Sequence, residues 1–215
     1  MAQKPTKPAV PGAVSSQELA AAGMISRQGV AGDDAAILHQ LGDPHGLQLA
    51  VQRLLTYRDN FYPDSHPRHW AIVNFDLQSA HPRLYLIDVV GQTVEPYLCA
   101  HGKGSEGPNN DGIAEVFSNI NGSLMTSLGI YRCAETFTDG HNRYAMALDG
   151  LQDTNSNARS RQIIMHPADY VTPKFAQDNG RIGRSEGCPA LDPATSASVI
   201  DRLKFGSFLL HWKTP

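Results

Sequence analysis

Trp70-Ala71-Ile72-Val73-Asn74-Phe75-Asp76-Leu77, Arg83-Leu84-Tyr85-Leu86-Ile87-Asp88-Val89-Val90 and Thr93-Val94-Glu95-Pro96-Tyr97-Leu98-Cys99-Ala100 follow one another with turn-forming residues between them. Each is rich in β-branched, aromatic and leucine side chains, which suit a pleated, half-buried surface. The short Gly91-Gln92 link predicts a hairpin between the second and third stretches. Pro96 has no amide to give a ladder, so it belongs on an edge or at a bulge. Further strands are expected at Arg143 to Leu148, Arg161 to His166 and Ser207 to Trp212. No βαβ alternation or internal repeat recurs, so the pattern predicts a mostly antiparallel β domain with helices added outside.

Upstream the periodicity changes. Leu47, Val51, Leu54 and Leu55 recur at helical spacing, predicting an amphipathic helix over 46–58 that packs against the sheet. A shorter helix is expected from Asp33 to Leu41, and another from Ser15, whose capping-box partner is Glu18, to a stop at Gly23. Residues 1–14, with Pro5, Pro8, Pro11 and Gly12, hold too little apolar surface to offset the entropy of ordering. The expected organisation is a tail or linker over 1–14, a helical extension over 15–60 and a catalytic domain over 61–215. Downstream, Asp192 as N-cap, Pro193 at the first helical position, Val199, Ile200 and Leu203 as an apolar face and Gly206 as a stop predict one helix among the late strands. From His101 to His141 the chain is dense in Gly, Asn and Ser and reads as a long loop, expected to wall a substrate groove.

The 215 residues carry 41% hydrophobic and 18% charged side chains, an ordinary globular balance, and no apolar run approaches the roughly 20 residues of a membrane span. Stable membrane insertion is not expected. The net charge of −3, with scattered Lys and Arg, lacks the footprint of phosphate-backbone binding, so no nucleic-acid partner is expected. Met1-Ala2-Gln3-Lys4-Pro5 shows no apolar leader. Cys99, Cys133 and Cys188 form no C-x-x-C pair; Cys99 and Cys133 read as buried thiols or as one bridge, leaving Cys188 unpaired.

Ile163-Ile164-Met165-His166 ends an apolar strand in histidine, and Gly183-Arg184-Ser185-Glu186-Gly187-Cys188-Pro189 sets a cysteine in a glycine-flanked loop. Such residues can meet in space. Imidazole titrates near neutrality and can hold a thiolate as an ion pair, and the thiolate is intrinsically nucleophilic. Gly187 lets backbone approach a carbonyl, the Gly187 and Cys188 amides are candidate donors to an oxyanion, and Ser185 could add a hydroxyl. A lone cysteine and a lone histidine are more often structural than catalytic, so the flanking residues decide.

Those flanks resemble a known family. His166, Gly180, Gly183, Ser185, Gly187 and Cys188 are similar to the His…Ser-x-Gly-Cys signature of YkuD-type L,D-transpeptidases. Arg184-Ser185-Glu186-Gly187-Cys188-Pro189-Ala190-Leu191 resembles the form found in the murein L,D-transpeptidase catalytic domain family, the YkuD_2-like branch. His101-Gly102-Lys103-Gly104-Ser105, Phe117-Ser118-Asn119, Ser127-Leu128-Gly129 and Asn157-Ala158-Arg159 are similar to further blocks, and the resemblance runs over roughly residues 57–212.

The resemblance implies a YkuD-like β-sandwich preceded by a short helical region, no cofactor, and a periplasmic or exported enzyme of peptidoglycan peptide stems. It implies Cys188 as nucleophile, His166 as base, and Ser185, Gly187, Arg184 and His101 as oxyanion or substrate-binding residues. Cys188 would acylate on a tetrapeptide stem with loss of D-Ala, and an amine would then receive the acyl group as a 3-3 cross-link. Water as acceptor would make the enzyme an L,D-carboxypeptidase or amidase. One departure matters: the commoner pattern has Arg two positions after the nucleophile, where this chain has Ala190, so Arg184 is the substitute considered. The imidazole is oriented by a backbone carbonyl in this family, with Asp169 as a side-chain alternative. Arg159 and Arg161 read as solvated charges that could also bind stem carboxylates. Two other readings compete, a zinc peptidase using His101, His141, His166 and Cys188, and a non-catalytic wall-binding module.

Overall fold

Leu47, Val51, Leu54 and Leu55 share one helical face, and in the computed structural model, described for residues 34–215, that face is buried on a β-sheet. Two helices carry it: α1 (Asp34–Gly42) and α2 (Gln48–Phe61), joined through a 3-10 turn at Asp43–His45 and a left-handed Gly46. The expected tail over 1–14 and helix from Ser15 to Gly23 lie outside the described residues. Leu38, Leu47, Ala50, Val51, Leu54 and Leu55 pack with Trp70, Ile72, Ile87, Phe208 and Leu210. Each fully buried aliphatic side chain of this kind contributes about 1.5–3 kcal/mol.

The strands are β1 (His69–Asn74), β2 (Leu84–Asp88), β3 (Thr93–Tyr97), β4 (Gly129–Thr138), β5 (Tyr144–Gly150), β6 (Ile164–Pro167), β7 (Ala190–Leu191) and β8 (Phe208–Trp212). They form one mostly antiparallel sheet in the order β3-β2-β1-β8-β4-β5-β6-β7, with parallel pairing only at β1–β8 and β6–β7. The predicted hairpin is present, Gln92 taking the left-handed turn conformation, and Pro96 lies in β3 at the end of the strand order. Just past β3 the chain reaches β7, where Cys99 bridges Leu191 and the Ala100 amide bonds the Ala190 carbonyl at 2.9 Å. The sheet therefore curls until its two ends touch.

Period-two alternation divides the strands between two cores. Ala71, Val73, Leu84, Leu86, Tyr131, Cys133 and Leu209 point inward, while Trp70, Ile72, Tyr85, Ile87, Ile130, Phe208 and Leu210 face the helices. α4 (Pro193–Leu203) closes the inner core with Val199, Ile200 and Leu203. Its start is as predicted, the Asp192 carboxylate accepting the Ala194 amide at 2.9 Å. The helix ends at Leu203, and Phe205 and Gly206, both at positive φ, turn the chain back so that the Gly206 amide bonds the Cys133 carbonyl. Among the described residues no helix is long and apolar enough to cross a membrane.

Three expectations need correction. The predicted loop from His101 to His141 contains β4, which lies between β8 and β5 in mid-sheet. The strand predicted from Arg161 begins only at Ile164, because Gln162 takes a left-handed φ of 55° that breaks extension. A further helix, α3 (Pro173–Asn179), capped by the Thr172 hydroxyl and ended by left-handed Gly180, was not foreseen.

Candidate active site

β6 and β7 run parallel with His166 opposite Ala190, which brings the end of one strand beside the loop entering the other. Cys188 stands two residues ahead of Ala190, its sulfur 3.5 Å from the Ile164 amide and 3.6 Å from the Gln162 carbonyl. The amide donates to sulfur, and the thiol donates to the carbonyl that the left-handed turn at Gln162 aims at it. His166 is buried, and its Nδ1 lies 2.9 Å from the Pro167 carbonyl. A proton on Nδ1 satisfies that contact and leaves the Nε2 lone pair free. Asp169 is not the orienting group; the partner is this backbone oxygen.

Both side chains line a groove of about 900 Å³, with Gln162, Ile163, Ile164, Tyr170, Arg161 and Ser185 around them and Phe137, Asp139, His141 and Arg143 on one wall. Burial pushes the Cys188 thiol above its ordinary value, outweighing the downward pull of the Ile164 amide and then of Arg143 and Arg161. Burial pulls the His166 imidazole down, against the Pro167 carbonyl, which raises it; Arg143 lowers it further and Asp139 opposes that. Taken singly, burial disfavours the charged form of each side chain, a thiolate on Cys188 and an imidazolium on His166.

The cysteine loop is held by 101–103 and by itself. The Ser185 amide bonds the His101 carbonyl at 2.9 Å, and the Lys103 amide bonds the Ser185 carbonyl at 2.8 Å. The Ser185 hydroxyl accepts from the Gly187 amide at 3.1 Å and donates to the Cys188 carbonyl at 2.6 Å. Ser185 and the Gly187 amide are therefore occupied as loop braces, not free as oxyanion donors. The Cys188 amide makes no hydrogen bond among the described residues and keeps that capacity. Gly187 (φ 125°) and Gly102 approach backbone to backbone: a Cβ on Gly102 would stand 2.8 Å from the Gly187 nitrogen and 2.4 Å from the Leu124 carbonyl.

His101 is also corrected. Its side chain is buried, with Nδ1 2.7 Å from the Arg83 guanidinium, and burial followed by that cation pulls its pKa down to about 3. Its carbonyl braces the cysteine loop, and its ring Nε2 is buried without a hydrogen-bond partner among the described residues. Arg184 lines the groove but is paired with the buried Glu106 and with Asn110. It ties 106–110 to the cysteine loop. Arg159 pairs with Asp149 and Glu135.

Arg161 differs from the sequence expectation of a solvated charge. It donates to the Ser118 carbonyl at 2.8 Å and the Met125 carbonyl at 2.5 Å, with the Ser123 and Ser127 hydroxyls further off. No carboxylate pairs with it among the described residues, and its charge acts on Cys188. Of the two arginines, Arg161 and not Arg184 is the one without a carboxylate partner among the described residues. No three His, Cys, Asp or Glu side chains among the described residues converge as metal ligands, so the zinc reading has no donor set.

A family model for the L,D-transpeptidase catalytic domain, YkuD_2, matches residues 43–212. The chain is similar to a solved L,D-transpeptidase from Mycobacterium smegmatis at 13% identity and a TM-score of 0.40, covering 67% of this chain and 58% of that one. One from Mycobacterium tuberculosis H37Rv matches at 16% identity and 0.39, covering 68% and 58%. One from Stackebrandtia nassauensis matches at 13% and 0.39, covering 84% and 78%. The chain thus spans less than two thirds of the length of the first two. No curated protein matches it.

Proposed function

Because the chain belongs to the L,D-transpeptidase catalytic domain family, we propose that it is a murein L,D-transpeptidase working on peptidoglycan peptide stems outside the cytoplasm, with Cys188 as nucleophile and His166 as base. One observation carries the reading: the Cys188 sulfur and the His166 imidazole line the same groove, the ring held by the Pro167 carbonyl with Nε2 left free. In the first half-reaction the Cys188 proton passes to His166 as sulfur bonds the carbonyl carbon of the third stem residue. The Cys188 amide donates to the oxyanion, and Arg161 supplies uncompensated positive charge nearby. Collapse breaks the amide bond; His166 returns the proton to the departing D-Ala nitrogen, leaving a thioester. In the second half an amine of another stem loses a proton to His166 and attacks the thioester, forming the new amide and restoring the thiol.

Product analysis tests the reading. Wild-type protein with disaccharide-tetrapeptide should give free D-Ala and 3-3 linked dimer, and Cys188→Ala should lower turnover by at least about a thousandfold while melting as wild type does. Tripeptide without dimer would show that water is the acceptor, making the protein a carboxypeptidase. Full activity in Cys188→Ala would remove the mechanism altogether.

A further inference from the structure

The turn between β4 and β5 reaches the groove and touches the oxygen that orients the base. Asp139 Oδ1 accepts the amides of His141 and Arg143, both at 2.9 Å, and Oδ2 receives the Arg143 guanidinium from Nε at 2.8 Å and from Nη2 at 2.6 Å. The Asp139 side chain is 6% exposed, so this carboxylate is fully engaged within the turn. The remaining arm of Arg143, Nη1, extends to β6 and donates to the Pro167 carbonyl at 3.3 Å. That oxygen also lies 2.9 Å from His166 Nδ1. A carbonyl has two lone pairs, so one oxygen can take both donors.

We propose that Arg143, tethered by Asp139, is a positioning residue that fixes the Pro167 carbonyl and through it the plane and tautomer of His166; this rests on the reading of His166 as the base. Pro167 has no amide of its own to anchor the peptide, and it lies at the end of a four-residue strand. A second donor on its oxygen limits the tilt of that carbonyl, and His166 Nδ1 follows. The pair does this at little net charge, since Asp139 lies against Arg143. The groups acting on His166 are Asp139, His141 and Arg143 from this turn, and Cys188, Tyr170, Arg161, Arg159, Glu135, Arg184, Glu186 and Lys103 line the same groove. Arg143 disfavours the imidazolium and Asp139 favours it.

A simple brace for the turn makes different predictions, so variants of the full chain separate the two. Arg143→Lys keeps an ion pair with Asp139 but cannot span both the carboxylate and the Pro167 oxygen. Imidazole NMR of His166, steady-state kinetics on a tetrapeptide stem and thermal melting should be recorded for wild type, Arg143→Lys, Arg143→Gln and Asp139→Asn. Positioning predicts that both Arg143 variants lose roughly tenfold in kcat, the scale of one such hydrogen bond, with KM unchanged. It also predicts loss of the single Nδ1–H tautomer in both Arg143 variants, and a partial loss in Asp139→Asn, where the tether is weakened. An unchanged tautomer in Arg143→Gln and Arg143→Lys, whatever happens to the melting curve, would overturn the proposal. The NMR readout does not depend on turnover, so a wild-type protein without transpeptidation would refute the proposed function while leaving this test intact.

Discussion

Cys188 spends its proton on the Gln162 carbonyl at rest, and the Ile164 amide points at its sulfur. Burial raises the thiol and lowers His166, so the proposed mechanism has proton transfer between them accompany attack on the substrate. The consequence is visible without substrate. Iodoacetamide labelling of Cys188 in the folded protein should rise with pH through a midpoint above the ordinary thiol value of about 8.5. A midpoint well below that would restore the ion-pair picture. Cys99 and Cys133 are fully buried free thiols, and burial pushes Cys99 up to about 12, so neither competes for the label while the fold holds. Turnover should fall on the acid side only below the ordinary histidine value of about 6.5, because His166 must be neutral to accept the proton and its pKa is lowered. In His166→Gln that acid limb should vanish along with most of the rate.

At the scale of elements, Asp34 of α1 and Arg58 of α2, both buried, form one cluster with the half-buried His66 ahead of β1. Arg58 Nη1 lies 2.7 Å and His66 Nδ1 3.0 Å from the same carboxylate oxygen. Asp34→Ala removes the buried one of the two carboxylates on Arg58, which is 4% exposed and keeps only Asp59, and should cost about 3 kcal/mol. For a chain this size that is roughly 6–12 °C in melting temperature. Burial raises the Asp34 pKa, but the bonds from Arg58 and then His66 outweigh it and hold it below 3.8. Its contribution is therefore complete above that unfolded value and is lost as pH falls through the lower folded one.

What the sequence revealed about these elements follows from where their signals lie. α4 announces itself with Asp192-Pro193 and an apolar stripe, and α2 with its leucine spacing. β4 did not, because Ile130 and Phe208 meet on one side and Tyr131 and Cys133 on the other, and a strand covered on both faces shows no alternation. Two residues of β7 are too few to carry a pattern. In the site, the flanks of Cys188 and His166 were readable as motif, but sequence does not tell which polar atoms are already engaged. Ser185, the Gly187 amide, Arg184 and Nδ1 of His101 all have internal partners, each supplied by folding. Arg161 looked solvated because the carbonyls it binds, Ser118 and Met125, belong to a distant segment.

For the whole molecule, the sheet that curls on itself to bring β7 against the segment after β3 also seals two histidines inside. His101 and His211 are buried with pKa values pulled by burial to about 3 and about 4. Both protonate in the unfolded chain below about 6.5, so stability is fully present above that value and falls with pH until the folded values are reached. Unfolding free energies from urea melts between pH 6 and 4.5 should decline with a slope of up to about 1.4 kcal/mol per pH unit for each histidine; a flat profile would mean that these rings protonate in place. The same closure sets Cys188 and His166 in one groove, and on that pairing the account rests. Intact-protein mass spectrometry with peptide mapping, after brief incubation with a disaccharide-tetrapeptide, tests it most directly. The predicted result is an adduct equal to the stem minus D-Ala, mapped to Cys188, absent in Cys188→Ala and formed far more slowly in His166→Gln. Release of D-Ala at the wild-type rate with no adduct on Cys188, or an adduct on any other residue, would contradict it.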